Sequence, residues 1–129
     1  MFGDADAAIA RDEEDVRRVQ RRAERLPPLR EAVAAARGTA VSRERDLGVT
    51  VDPSGRIVAL TIEDSALSRG GARLAADLVR LLGQARRDLQ RQLLGSAVET
   101  LGVDDPLVET YRSSIGTPDD MPRKTGGLW

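Results

Sequence analysis

Segments 47–52 and 56–63 alternate between apolar and other residues, which is the pattern of β-strands with one buried face. Between them, "DPSG" has a proline at the second turn position and Gly55 at the position that needs a positive φ. The two segments are therefore predicted to form a hairpin. Its apolar side chains are Leu47, Val49, Val51, Val58, Leu60 and Ile62.

A further strand is predicted over residues 39–43, with "RERD" as the turn that joins it to the hairpin. The three strands would form an antiparallel sheet with one apolar face. Another element has to cover that face, because a small sheet is not stable alone.

An amphipathic helix is predicted before the sheet, over residues 4–37. Its apolar positions recur with heptad-like spacing. They are Ile9, Val16, Val19, Ala23 and Leu26. Acidic residues at 12–15 precede a run of arginines, an order that suits the helix dipole. Two acid–arginine pairs are four residues apart in the favourable order: Glu13–Arg17 and Glu14–Arg18.

Pro27 and Pro28 interrupt this helical pattern. The residue before a proline avoids helical dihedral angles, whereas a proline is well tolerated in a first helical turn. We therefore predict a kink or break near 27–28, followed by a second helical piece that ends near Gly38.

A second long helix is predicted over residues 70–101, ending at Gly102. Its candidate N-terminal caps are Asp64, Ser65 and Ser68. Its buried stripe is Leu74, Leu78, Leu81, Leu82, Ala85, Leu89 and Leu93. An arginine band is predicted on the opposite side, formed by Arg69, Arg73, Arg80, Arg87 and Arg91. Gly83 lies near the buried stripe, which suggests a close approach by another backbone.

Residues 1–101 are predicted to form one domain, and residues 102–129 a short helix followed by a disordered tail. Trp129 at the end of this tail is either an anchor for a partner or, as is more usual, unattached. The fold class is α+β, in the order α-β-β-β-α. One small sheet cannot cover both helical stripes and has two exposed edges, so we predict a homodimer joined through the sheets.

Composition removes several kinds of chemistry. The chain has no cysteine and no histidine, which excludes disulfides, thiolate nucleophiles and the usual zinc sites and general bases. We predict no catalytic residues, no metal and no cofactor. No apolar run reaches the ~20 residues of a membrane helix, so no membrane contact and a cytoplasmic location are expected. All but one of the 20 basic residues are arginines. Because this bias runs through the whole chain, a GC-rich genome explains it better than phosphate binding.

The chain resembles the YbaB/EbfC family of nucleoid-associated proteins. The resemblance rests on "LGVTVDPSGRIVALTIEDSAL", then "LAADLVRLLGQARRDLQ", and on a Met1-Phe2-Gly3 start. The arginine-rich style is similar to actinobacterial paralogues, including the EspL-like proteins associated with type VII secretion. The family resemblance implies a tweezer-shaped homodimer that binds duplex DNA without strict sequence preference, is nucleoid-associated, and has no catalytic residues.

Two sets of site residues are predicted, the first from the resemblance and the second from the apolar face of the sheet and the buried stripe. The DNA-binding candidates are Arg17, Arg18, Arg21, Arg22, Arg25, Arg73, Arg80 and Arg87. The dimer-interface candidates are Leu47, Val49, Val51, Val58, Leu60, Ile62 and Gly83. The alternative explanation of these arginines, a solvated face paired with nearby acids, is strong for both groups, and a net charge of −1 does not favour DNA. The alternative function is a protein-interaction or stabilising accessory factor that never contacts DNA.

Overall fold

The computed structural model describes the backbone of residues 2–116 and the side chains of residues 7–115. The elements are α1 (Phe2–Ala35), β1 (Gly38–Val41), β2 (Leu47–Val51), β3 (Ile57–Ile62), α2 (Asp64–Leu67), α3 (Gly71–Leu101) and α4 (Pro106–Gly116). The predicted α+β class and the order α-β-β-β-α are confirmed. The short α2 was not predicted as a separate helix. The predicted tail and Trp129 lie outside the described residues.

The sheet has the order β1-β2-β3, and both neighbouring pairs are antiparallel. The "DPSG" turn forms as predicted, with Gly55 at φ 89°. The Asp52 carboxylate accepts hydrogen bonds from the Ser54 hydroxyl at 2.6 Å and from the Arg56 amide at 3.0 Å. These bonds, the hydroxyl's first, lower the pKa of Asp52 and fix the turn.

The alternation predicted for β3 is interrupted by a bulge. Thr50 pairs with Ala59, but the next residue, Val51, pairs with Ile57. One additional residue, Val58, is therefore accommodated opposite Val51, and a bulge of this kind increases the local twist. Leu60 and Ile62 keep the predicted face.

The core lies between α3 and the first two strands. It is built from Leu47, Val49, Val51, Ala66, Leu81, Ala85 and Leu89, all buried. The other leucines of the predicted α3 stripe, at 74, 78, 82 and 93, pack around this cluster. The prediction for the buried face of α3 is therefore confirmed. All six residues of β3 are exposed because α3 lies over β1 and β2.

The close approach between α3 and the sheet occurs at Gly38, in β1. A Cβ placed there would collide with the carbonyl oxygen of Ala85 and would lie 2.8 Å from the Leu89 Cβ. At Gly83, a Cβ would meet only the Arg87 guanidinium, at 3.6 Å. Among the described residues, no other backbone approaches Gly83, and the glycine at the close approach to α3 is Gly38, on the strand that faces it.

Helix α1 continues through Pro27 and Pro28, so the predicted break is absent. A proline removes the hydrogen bond to the carbonyl four residues earlier, which here belongs to Ala23 and Glu24. Both residues are exposed, so water can hydrogen-bond these carbonyls. The cost of two prolines is therefore lower here than inside a buried helix.

Among the described side chains of α1, burial begins only in the C-terminal part of the helix. Leu29 is buried, as are Ala97 of α3 and Val108 of α4. In contrast, every residue from 7 to 21 is exposed. We call residues 7–21 the arm. At ~1.5 Å per residue, it extends for about 22 Å with every residue exposed.

Glycines, rather than polar side chains, mark the ends of α3. The N-cap is Gly70, with φ 92°, and α3 ends before Gly102, with φ 93°, as predicted. The predicted caps Asp64, Ser65 and Ser68 do not serve this helix. Ser65 instead donates its hydroxyl to Asp46, and Ser68 donates to the Ser65 carbonyl.

No helix among residues 2–116 is both long enough and apolar enough to cross a membrane.

Candidate nucleic-acid interface

Three arginines of the first predicted group pair with acids one turn or two away on α1. Arg17 lies 3.2 Å from Glu14, Arg18 lies 3.2 Å from Asp15, and Arg21 lies 3.8 Å from Glu14. The ion pairs predicted between residues four apart form instead between residues three apart. The partner of Arg17 is therefore Glu14 and not Glu13. All these side chains are at least half exposed. Such pairs contribute about 0–1 kcal/mol, so a phosphate can displace the acid.

Arg22 has a different role from its neighbours. Its Nε donates to Asp105 Oδ2 at 2.7 Å and its Nη2 to Oδ1 at 3.0 Å, which is a bidentate pair. Asp105 is nearly buried and also accepts the Leu107 amide at the start of α4. The hydrogen bond from Arg22 is the main reason that the pKa of Asp105 is lowered. Arg22 thus ties α1 to the α3–α4 loop. Its guanidinium is already paired with Asp105 and is not available to a phosphate.

An unpredicted arginine, Arg11, joins two predicted ones on a single face of α1. Arg11, Arg18 and Arg25 follow one another at intervals of seven residues and are exposed. Arg11 and Arg25 have no ion pair with any residue from 7 to 115. We call these three residues the arginine row. Arg11 could have been added to the candidates from the sequence, because it precedes Arg18 by the same seven residues that separate Arg18 from Arg25.

Asp46, Arg69 and Asp77 form a largely buried charge network at the end of the sheet. Arg69 Nη1 donates to Asp46 Oδ2 at 2.6 Å and Nη2 to Oδ1 at 3.2 Å, while its Nε lies 3.4 Å from Asp77. Asp46 also accepts the Ser42 and Ser65 hydroxyls. Arg69 was predicted on the solvated band of α3, but it lies between α2 and α3, where it ties the start of β2 to both helices.

The pKa of Asp46 is lowered from its ordinary 3.8 to about 2, mainly by the hydrogen bond from Arg69 and further by Ser42, against the opposing effect of burial. A lowered folded-state pKa adds stability that is fully present above about pH 4 and is lost as pH falls toward 2. We expect Asp46→Asn to be less stable at pH 7 and to lose less additional stability between pH 4 and 2, in urea unfolding curves.

Asp104→Asn is the matched control, because this exposed carboxylate has no ion pair within residues 7–115. It should retain the pH dependence of the wild-type protein. Asp52 and Asp105 also have lowered pKa values, so some acid sensitivity will remain in Asp46→Asn. If the free energy of unfolding falls equally with pH in Asp46→Asn and in wild type, the Arg69 pair does not stabilise the fold.

The second predicted arginine group, on α3, lies beside the same network. Arg73 and Arg80 are 66% and 62% exposed and reach Asp77 at 3.8 and 3.1 Å. Together with Arg43 of the β1–β2 turn they line an open groove of about 530 Å³. Arg87 is half-buried, with its guanidinium over Gly83. The structure therefore brings Arg73 and Arg80 together and separates Arg87 from them.

The two edges of the sheet differ. On β1, the Thr39 amide donates to Asp88 Oδ2 at 2.9 Å, and the Gln92 amide nitrogen donates to the Arg37 carbonyl at 2.8 Å just before the strand. Side chains of α3 therefore occupy that edge. Among the described residues, β3 has no neighbouring strand on its outer side. An open edge of this kind is a template for another strand.

Four large apolar side chains lie along this open edge and are 38–50% exposed: Ile57, Val58, Leu60 and Ile62. Leu60 and Ile62 pair with Val49 and Leu47, so their side chains continue the same face as the core. The predicted interface residues Leu47, Val49 and Val51 are instead at most 3% exposed, because α3 of the same chain covers them. Those three are core residues, and the exposed apolar surface begins one strand further out.

Comparisons with protein-family models, with curated proteins and with solved structures gave no match for this chain. The resemblance to the YbaB/EbfC family therefore remains a prediction from the sequence. Within the part of the chain that the structure describes, no three acidic side chains are grouped as a metal site would require.

Proposed function

We propose that this protein is a homodimeric, nucleoid-associated protein that binds duplex DNA without strict sequence preference through exposed arginines on its projecting helices. The observation that carries the proposal is that α1 is exposed along the arm and carries the arginine row on one face, with Arg11 and Arg18 on the arm and Arg25 just after it. A cytoplasmic, nucleoid-associated location follows from this function. No catalytic residue is assigned.

The dimer in this proposal is joined through β3. A second copy of β3, related by a two-fold axis, would satisfy the open edge in both copies at once. The same contact would cover Leu60 and Ile62, whose side chains are already aligned with the core. Two arms would then be held by one continuous six-stranded sheet.

The arginines suit contacts to the DNA backbone rather than to bases. Non-specific affinity comes mainly from neutralised phosphates and needs only cations at suitable intervals. The spacing of seven residues places the members of the arginine row ~10 Å apart along the helix. Arg22 is excluded from the site, because moving it would break its pair with Asp105. No aromatic residue lies between the arginines of the arm, which favours duplex over stacked single strands.

Replacing Arg11, Arg18 and Arg25 together with glutamine should weaken binding to an arbitrary duplex. Each lost phosphate contact should reduce the slope of log K against log salt by about 0.9. Fluorescence anisotropy at several salt concentrations measures both the affinity and the slope. Sedimentation should show an unchanged assembly, because all three side chains are exposed.

A variant with the same change in net charge, Arg45→Gln/Arg56→Gln/Arg112→Gln, is the control. Arg45 and Arg56 lie on the two turns of the sheet and Arg112 lies on α4, so none of the three is on α1. Equal weakening in both triple variants would indicate a general charge effect and remove the arginine row from the site. Absence of binding by wild type even at low salt would overturn the DNA function.

The second candidate is a protein-interaction factor, of the accessory type associated with type VII secretion. It is favoured by one observation: the arm carries an apolar stripe that its own domain leaves exposed, including Ile9, Val16 and Val19 at 54–67% exposure. The paired acids on the arm also reduce its attraction for phosphate. In this case the protein would show no affinity for duplex DNA at moderate salt and would co-purify with a reproducible protein partner.

A further inference from the structure

The apolar stripe of the arm lies on a different face from the arginine row. Ile9, Val16 and Val19 are exposed and repeat with the spacing of a coiled-coil seam, in which Ile9 and Val16 take a positions and Val19 a d position. The arginine row takes c positions, on the outer side of such a coil. The two surfaces can therefore be occupied at the same time.

The charge order along the arm identifies the orientation of a partner. Apart from Arg11, whose c position is on the outer side, Asp12, Glu13, Glu14 and Asp15 precede the arginines, which follow from Arg17 onwards. Two parallel copies would place acids beside acids and arginines beside arginines. Two antiparallel copies would place each acidic segment beside the arginine-bearing segment of the other. Because the arm is self-complementary only when reversed, a second copy in the antiparallel direction fits it.

The register follows from the apolar positions. In an antiparallel pair a positions meet d positions. Val16 then meets Val19 of the second copy, twice around the two-fold axis, and Ile9 meets the half-buried Leu26. The one charged d position, Asp12, meets the small Ala23 and lies near the second copy's Arg22. A polar residue in such a position fixes register at some cost in stability.

We propose that the arm of α1 binds the arm of another copy as an antiparallel helical pair centred between residues 16 and 19. This contact is separate from the β3 edge and goes beyond the proposed function. Each interface is two-fold, so a protein that uses both joins β3-linked dimers into larger assemblies. The arginine rows would then lie along the outside of each helical pair.

Cysteine cross-linking tests the orientation directly, since the 129-residue chain contains no cysteine of its own. Val16→Cys protein is mixed with a size-tagged Val19→Cys protein under mild oxidation. The expected result is a mixed disulfide that forms several-fold faster than either self-pair. Ile9→Cys alone should not cross-link, because antiparallel copies place the two sites ~25 Å apart along the axis, whereas a disulfide needs Cα atoms within about 7 Å.

Efficient self-linking of Ile9→Cys would indicate parallel arms and overturn the proposal. No cross-link in any combination would show that the stripe serves another partner, and would overturn it as well. A Val16→Asp/Val19→Asp variant adds a readout by sedimentation. It should lose the assemblies larger than a dimer and retain the dimer, and both side chains are exposed enough for the fold to persist. Failure of the β3 dimer can be told apart from failure of the arm contact. If only the β3 dimer is wrong, the mixed cross-link still forms and joins a single pair of chains.

Discussion

A Leu60→Asp/Ile62→Asp variant is expected to lose its β3-linked dimer and remain folded. The two side chains are 50% and 38% exposed in the single chain, so burying the remainder in both copies contributes about 1 kcal/mol for each of four side chains. Losing about 4 kcal/mol raises the dissociation constant roughly a thousandfold, and four added charges at a two-fold interface raise it further. Analytical ultracentrifugation over a range of concentrations measures this shift.

Val79→Asp/Val103→Asp is the control for that variant. It adds the same charge at side chains that are 72% and 58% exposed, on α3 and just after it. It should assemble as wild type does. If the wild-type protein is a single chain at micromolar concentration, or if the β3 variant assembles normally, the dimer through β3 is wrong. Circular dichroism shows whether the β3 variant is folded.

A Gly38→Ala variant is expected to be strongly destabilised. The added Cβ has no room, because the obstacles are the Ala85 carbonyl and the backbone and Cβ of Leu89, which cannot move aside as a flexible side chain could. Overpacking of this kind costs about 1–3 kcal/mol, and a backbone obstacle places this site at the upper end. For a domain of this size, the midpoint of thermal unfolding should fall by roughly 10 °C or more.

Gly95→Ala is the control for Gly38→Ala. The same substitution is expected to raise stability at this position. Nothing lies within 4 Å of a Cβ at Gly95, which is inside α3. Alanine should therefore raise stability by up to about 1 kcal/mol, through helix propensity alone. A Gly38→Ala protein as stable as wild type would mean that β1 does not lie against α3 as described.

Arg22 and Arg69 show why a local sequence pattern did not predict the environment of each arginine. From sequence, Arg22 was indistinguishable from Arg21, because both follow the same acidic run. Only the position of Asp105, 83 residues later, separates them. Arg69 was placed on a solvated band by its helical spacing, but the chain turns at Gly70, so the spacing does not continue across it. The Arg22 error comes from a contact with a distant segment and the Arg69 error from a turn of the chain, and a helical periodicity contains neither.

The sequence by itself determined the α+β order, the hairpin with its turn at Gly55, the buried leucine stripe of α3 and the glycine that ends it. These features depend on interactions within a few residues or on a single repeating face, so a local pattern is sufficient. Tertiary structure alone decided that one helix covers two strands rather than three, which makes Leu47 core and Leu60 surface although they share a face. It also decided that α3 approaches the sheet at Gly38, because that depends on which strand the helix packs against. The prolines remain inside α1 because the carbonyls that lose their hydrogen bonds stay exposed to water once the elements pack.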